Sequence, residues 1–324
     1  MTIKAFEERF PVAGRFTISR ESRTEIRAVT VELHDGEASG RGECIPYARY
    51  GETVEGVIEA IHDLKTDLAN GLDRARLQSR LPAGAARNGV DCAFWDLEAK
   101  RAGKPVWSLA GLQKPLPVTT AYTISLAPPE KMARQAMKNA ARPLLKVKLG
   151  HEGDLERIEA VRGACRSTII VDANEDWSVE QYLELAPQLL KLGVAMVEQP
   201  VPAACDDVLA DIERPLPISA DESCHDRASL AQLGGKYDLV NIKLDKTGGL
   251  TEALAMKRQA ARAGFAIMVG SMLSTSLAMA PALLVAQNAD YVDLDGPLLL
   301  ARDRADGLNY RGSLIDPPSQ KLWG

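Results

Sequence analysis

The chain has 324 residues, of which 46% are hydrophobic and 26% charged, an ordinary soluble globular balance with room for a large barrel or two domains. A net charge of -5 excludes a general nucleic-acid or membrane-surface binder, which needs a basic footprint. No apolar run reaches the roughly 18 residues of a spanning helix, and acidic residues in "MTIKAFEERF" interrupt the apolar core that an export signal requires. The five cysteines (44, 92, 165, 205 and 224) are odd in number, scattered and without a CxxC pair, and the four histidines have no zinc-type spacing. The expectation is a soluble cytoplasmic protein.

In chain order, residues 1–115 read as an α+β segment. "RAVTVELHDGEASGRGECIPY" alternates like antiparallel strands around a turn at Asp35-Gly36. Helical patterns follow at "VEGVIEAIHDLKTDL" and "RNGVDCAFWDLEAKRAG", the second stopped by Gly103 ahead of Pro105. From about residue 117 short apolar runs end in polar residues: "VTTAYTIS", "LLKVKLG", "TIIVDAN", "AMVEQP", "PISADES", "LVNIKLD", "AIMVGSM" and "YVDLDG". One marker from each later run (Lys148, Asp172, Glu198, Asp221, Lys243, Gly270, Asp293) recurs every 22–27 residues, and a helical pattern is expected in each gap. Eight strand–helix units predict a parallel β/α barrel over 116–299; a doubly wound open sheet would not need a polar residue at nearly every strand end. No low-complexity linker separates the two parts.

Barrel enzymes carry their sites at the C-terminal ends of the strands. That rim would present Lys146, Lys148, Asp172, Asn174, Glu198, Asp221, Lys243, Asp293 and Asp295. Lys146 and Lys148 share one strand face, so they line either a wet edge or a site. Asp172, Glu198 and Asp221 come from consecutive strands and offer the oxygen donors of a Mg²⁺ site; singly, each could be a helix N-cap. Lys148 and Lys243 close strands four apart, across the barrel mouth. They read as two acid/base groups on opposite faces of a substrate, with Lys146 a fixed positive charge beside them. The bland reading of Lys243 is a salt bridge to Asp245 or to a rim acid.

These motifs resemble the enolase superfamily, in its muconate-lactonising subgroup, whose pattern is K-x-K, then Asp, Glu and Asp on successive strands, then a lysine. Here it stands as "KVK" 146–148, "VDAN" 171–174, "VEQP" 197–200, "ADES" 220–223 and "NIKLDKTGG" 241–249. "GRGECIPYARYGET" and "AARNGVDCAFWDLEAKRAGKPVWSLAG" resemble that subgroup's capping domain and the approach to its barrel. The resemblance implies a modified (β/α)7β TIM barrel with an N-terminal α+β cap, a tail at about 300–324 that returns to the cap, a Mg²⁺ cofactor, and abstraction of a proton next to a carboxylate. The pairing of lysine bases with Mg²⁺ is a known feature of that superfamily.

Cycloisomerases, o-succinylbenzoate synthases, N-succinylamino acid racemases and dipeptide epimerases of the subgroup share these lysines. Asp293 and Asp295 in "DLDG" resemble the D-x-D with which the dipeptide epimerases hold a free α-amino group. The implied reaction is epimerisation of L-Ala-L-Glu and L-Ala-D-Glu, with a role in murein peptide recycling following from that substrate. By the same resemblance Arg20 or Arg23 in "RFTISRESRTE", with Arg20 preferred, would clamp the far carboxylate, and Thr123, Ser271 and Leu273 would touch the substrate. Ser274 departs from relatives that carry glutamate there. The implied partner is a small dipeptide, with no nucleic acid and no membrane; the subgroup includes homo-oligomers. A subgroup enzyme of other specificity, or a non-catalytic metal- and acid-binding barrel, stays open from sequence.

Overall fold

The computed structural model describes residues 1–150 and 152–324. Side chains alternate between buried and exposed from the second residue onward, and the result is a three-stranded antiparallel sheet of β1 (Thr2–Thr17), β2 (Ser22–Asp35) and β3 (Ala38–Cys44). β2 and β3 meet at the expected turn, where Gly36 takes φ +62. β1 was not anticipated from sequence. Its register with β2 shifts between Pro11 and Phe16, a bulge that leaves the hairpin end projecting beyond the regular ladder.

The helix Ala85–Ala102 lies across β3 at unusually close range. A Cβ on Gly40 would stand 2.2 Å from the Ala93 carbonyl oxygen, and one on Gly42 would stand 2.1 Å from that of Gly89. The two bare backbones are what let helix and sheet touch. Val31, Leu33, Val90, Phe94 and Leu97 fill the rest of this small core.

The barrel follows. After a short strand, β4 (Val118–Thr119), come β5 (Tyr122–Ile124), β6 (Leu144–Lys148), β7 (Thr168–Asp172), β8 (Val194–Glu198), β9 (Ile218–Ala220), β10 (Leu239–Ile242), β11 (Ala266–Gly270) and β12 (Tyr291–Asp293). From β5 to β12 they pair in sequence order as one eight-stranded sheet, parallel throughout. The ring closes where the Ala121 amide donates to the Val292 carbonyl at 2.8 Å. Leu145 and Val147 of β6 join the outer core under the helices, and Lys146 and Lys148 take the opposite face, inside the barrel. Ile170, Met196 and Met268 plug the interior below them. Because β6 runs between β5 and β7, the wet-edge reading of the two lysines fails.

Helices fill most gaps, among them Asp154–Ala164, Val179–Lys191, Leu250–Arg262 and Ser276–Ala286. Two gaps depart from expectation. β8–β9 and β9–β10 are bridged by the 3₁₀ segments Ala203–Ala210 and Ser229–Gln232. Pro200, Pro202, Pro215 and Pro217 crowd the first gap and remove backbone donors, and Gly234-Gly235 closes the second. No described helix is long and apolar enough to cross a membrane.

The chain after the barrel packs back against the first sheet. The Ala301 amide donates to the Pro11 carbonyl, β13 (Tyr310–Arg311) pairs with β14 (Leu314–Ile315) and β14 with β4, and Trp323 is buried with its indole N–H on the Cys92 carbonyl. Asp245, just past β10, accepts from the Ile45 amide at 3.0 Å and from Asn88 Nδ2 at 2.8 Å, tying the N-terminal sheet and its helix to the barrel rim.

Gly42→Ala forces helix and sheet apart against backbone atoms that cannot rotate away. It should lower unfolding stability by about 2–3 kcal/mol, the upper range for an overpacked core, measured as a fall in the denaturant midpoint at unchanged m-value.

Candidate active site

The register that builds the barrel also levels its charges. Lys148 pairs in register with Asp172, Asp172 with Glu198, and Gly270 with Asp293. Asp172, Glu198, Asp221, Lys146, Lys148, Lys243, Asp293 and Asp295 therefore converge at one end, every one of them buried. Lys148 Nζ lies 2.6 Å from Asp172 Oδ2. Lys146 Nζ lies 3.1 Å from the same oxygen, 2.6 Å from Glu198 Oε2 and 2.9 Å from Asp293 Oδ2. Lys243 Nζ donates to Asp221 Oδ2 at 2.6 Å, so this lysine pairs with a rim acid and Asp245 is left to the cap.

Burial raises the cost of every charge here, and the partners decide which charges survive. Burial pushes Asp172 up, but the ammonium groups of Lys148 and Lys146 outweigh it and hold the carboxyl below its ordinary range. Burial, followed by repulsion from Asp172, pushes Glu198 up to about 7. For Lys146 burial favours the neutral form, yet Asp293, Glu198 and Asp172 overcome it and keep the ammonium protonated well above the usual range. Lys243 is likewise raised, by Asp221 and Glu198 against burial. Asp295 is pushed up to about 7 by burial and then by Asp293.

Among the described residues no three acidic side chains stand as a ready-made metal cage, because each carboxylate of the triad has an ammonium against it. The donor set nevertheless fits a hard divalent cation. It consists of three buried carboxylates from successive strands, and among the described residues Glu198 Oε2 has no aligned hydrogen bond despite its nearness to Lys146.

Two adjoining cavities meet between the lysines. One, of about 40 Å³, is lined by Phe16, Thr123, Lys146, Ser271, Asp293 and Asp295. The other, of about 70 Å³, is lined by Arg20, Arg23, Tyr47, Tyr50, Asn174 and Glu222. Lys148, Lys243, Ser271 and Leu273 face both. Asp295 Oδ2 accepts from the Thr123 amide at 2.5 Å, and Asp293 Oδ1 has no hydrogen-bond partner among the described residues.

The loop between β1 and β2 covers the second cavity. Arg20 donates to the Asn174 carbonyl at 2.6 Å, Glu175 at 3.0 Å, Glu222 at 2.6 Å and Tyr47 Oη at 3.2 Å. Arg23, at the start of β2, bonds among the described residues only to Glu21 of the adjoining loop and rests 5.7 Å from the Tyr47 ring. Thus Arg20 ties the loop to the barrel rim, and Arg23 is the less committed of the two.

Sequence reasoning missed Lys246, Asn241, Glu222 and Gln199. Lys246 is fully buried and donates to both Asp221 Oδ1 (2.5 Å) and the Asp221 carbonyl (2.6 Å), and to the Asn241 carbonyl (3.0 Å). Asn241 Nδ2 donates to Glu198 Oε1 at 2.7 Å. The available signal was spacing: Lys246 follows Lys243 by one turn of the short helix Leu244–Thr247 and so can face the same carboxylate.

The chain belongs to the mandelate racemase/muconate lactonizing enzyme family. Residues 1–111 match that family's N-terminal domain and residues 130–318 match its enolase C-terminal domain-like barrel. It is 47% identical to the L-Ala-D/L-Glu epimerase of Escherichia coli (strain K12), over 95% of this chain and 97% of that protein. It is also 42% identical to an N-acetyl-D-glutamate racemase of Pseudoalteromonas sp., over 91% and 95% respectively. An enolase family member from Agrobacterium tumefaciens with homology to dipeptide epimerases, crystallised with sodium, L-Ala-L-Glu and an ordered loop, superposes with a TM-score of 0.98. The two are 53% identical, with 99% of each chain covered.

Lys246→Met would leave one Asp221 oxygen and two carbonyls without their buried ammonium. An uncompensated buried partner of this kind costs about 3 kcal/mol, so unfolding stability should fall by that amount in a denaturant titration.

Proposed function

We propose that the chain is a Mg²⁺-dependent dipeptide epimerase, an isomerase that interconverts L-Ala-L-Glu and L-Ala-D-Glu. The observation that carries this reading is the pairing of Lys148 and Lys243 across one buried cavity, whose end is formed by Asp293 and Asp295. Asp172, Glu198 and Asp221 would hold the ion. When bound, Mg²⁺ supplies positive charge that steadies a substrate carboxylate as that group gains electron density.

The chain's own residues do the rest. One lysine, in its neutral form, takes the Glu α-proton onto Nζ, and the C–H electron pair moves into the adjacent carboxylate to give an enediolate. The ammonium of the other lysine returns a proton to the opposite face of that carbon, inverting it. The two lysines exchange roles for the reverse direction. Lys146, kept cationic by three carboxylates, serves as fixed charge beside the developing anion. Thr123, Ser271 and Leu273 wall the substrate between the lysines and the acidic end.

Asp293 Oδ1 is buried and without a hydrogen-bond partner among the described residues, an acceptor suited to the substrate's ammonium group. The similarity to an N-acetyl-D-glutamate racemase favours a second reading, racemisation of an N-acylglutamate. A neutral amide would leave the acidic pair less well compensated than an ammonium does. At the opposite end we assign Arg23 to the Glu side-chain carboxylate, and Arg20 to holding the loop closed. A place in recycling murein peptides follows from the proposed substrate.

The first test is proton NMR of L-Ala-L-Glu with protein and Mg²⁺ in D₂O. The Glu α-proton signal should fade as the L-Ala-D-Glu diastereomer appears, and EDTA should stop both. N-acetylglutamate turning over in preference to the dipeptide would move the assignment to the second reading. Lys148→Ala and Lys243→Ala should each lower epimerisation by about 10²–10⁴-fold, with each variant exchanging the α-proton of one diastereomer only; retention of two-sided exchange in both would remove the mechanism.

Arg23→Gln should cut kcat/KM for L-Ala-L-Glu by about 10–100-fold, the worth of one charged hydrogen bond, while sparing a dipeptide with an apolar second residue. Arg20→Gln should lower both substrates alike. The reverse pattern would restore Arg20 as the substrate clamp.

A further inference from the structure

Behind the three carboxylates lies a side chain that touches none of their oxygens. Gln199 directly follows Glu198, is fully buried, and adopts φ +33, a left-handed conformation that a residue with a Cβ takes at a cost. Its Oε1 accepts from the Asp221 amide at 2.9 Å and from the Ser223 amide at 3.1 Å. Its Nε2 faces the Val201 carbonyl (2.9 Å), Ser223 Oγ (3.0 Å) and Tyr237 Oη (2.9 Å). The orientation of the amide is fixed by its neighbours: backbone amides only donate and the Val201 carbonyl only accepts, so oxygen and nitrogen cannot be exchanged.

The main chain of Gln199 extends the same connection. Its amide donates to the Ser219 carbonyl and its carbonyl accepts from the Glu175 amide, both at 2.9 Å. One residue thus joins the ends of β7, β8 and β9, the strands that carry Asp172, Glu198 and Asp221. The amide is itself braced from behind. Ser223 Oγ and Tyr237 Oη both donate to Asp206 Oδ2, at 2.6 and 2.8 Å, and Lys236 Nζ donates to Asp206 Oδ1 at 2.6 Å.

We propose that Gln199 is a positioning residue for the cation site. The residue next to one carboxylate ligand sets the backbone of another, so that the spacing between Glu198 and Asp221 is held by a buried, fully bonded amide. The inference rests on the reading of Asp172, Glu198 and Asp221 as ion ligands. Strained backbone held by its surroundings is common where function demands a particular geometry. Here the left-handed turn at Gln199 swings its side chain inward to the Asp221–Ser223 turn. Removing the amide frees that turn without deleting a ligand.

The test is Mg²⁺ titration of the full-length protein by isothermal calorimetry, without substrate, so that binding is read apart from turnover. Gln199→Met should raise the Mg²⁺ dissociation constant about 10–100-fold, as loss of an outer-shell partner does. Gly42→Ala, which strains the helix–sheet contact of the cap and touches no partner of Gln199, should leave the dissociation constant within about 2-fold of native, separating positioning from general loss of stability. Tyr237→Phe removes one partner of the Gln199 nitrogen and should raise the constant about 3-fold, with no further rise when combined with Gln199→Met.

A Gln199→Met protein that binds Mg²⁺ as the native chain does would overturn the proposal. Where that variant fails to fold, an unchanged constant in Tyr237→Phe overturns it instead. A native chain that takes up no Mg²⁺ would overturn the ion-binding reading itself, and this inference with it.

Discussion

The structure depends on pairing buried charge at the barrel mouth. A lone ammonium or carboxylate shut away from water costs several kcal/mol, and only close, well-oriented partners offset this. At the mouth four lysines meet the carboxylates: Lys148 on Asp172, Lys146 among Asp172, Glu198 and Asp293, and Lys243 with Lys246 on Asp221. The apolar plug of Ile170, Met196 and Met268 beneath them keeps water from screening the charges from below. Truncating one member would strand another, so register along six strands must be right at once.

That demand explains why the cap is bound so firmly. The second cavity is roofed by the β1–β2 loop and by Tyr47 and Tyr50, and the roof is held by charge as well. Arg20 reaches Glu175 and Glu222 on the barrel, Arg49 meets Glu175 from the cap, and Asp245 receives the Ile45 amide. Below, Glu43 accepts from the Thr275 amide at 2.8 Å and pairs with Arg304 of the C-terminal segment. Cap, barrel and tail therefore share buried polar contacts, and such contacts fix relative position more narrowly than apolar packing alone.

The barrel and its charged rim were legible because strand periodicity and strand-end position are local properties. Lys146 and Lys148 two apart must share a face, and a polar marker every 22–27 residues must fall at one end of a parallel barrel. Other features had no local signature. β1 carries Pro11 and a bulge that blur its alternation. The connections before and after β9 were expected to be helical from the pattern of the neighbouring units, but they are 3₁₀ segments governed by proline and glycine. The resemblance preferred Arg20 to Arg23 as the clamp, and only the fold shows that Glu175 and Glu222 engage Arg20. Lys246 carried a spacing signal, one turn after Lys243, whereas Gln199 bonds across strands to the Asp221 and Ser223 amides, main-chain groups that any sequence supplies, so nothing in its spacing marked it.

Charge also gives the proposed site a direction. One end offers Asp293 and Asp295, with an unbonded Asp293 oxygen and an Asp295 carboxyl pushed up to about 7 by burial and by its neighbour. The other end offers Arg23, at the start of β2, bonded to Glu21 of the adjoining loop. Between them stand Lys148 and Lys243 on opposite walls. A dipeptide with an acidic second residue carries the matching sequence of charges: an ammonium, a carboxylate beside the α-carbon, and a second carboxylate beyond. Placed in reverse, it would set its carboxylates against Asp293 and Asp295 and its ammonium beside Arg23, opposing charge at both ends. On the proposed reading, the polarity that would orient the dipeptide would also bring its epimerised carbon between the two lysines, so one arrangement of charge would select both the substrate and the reacting atom.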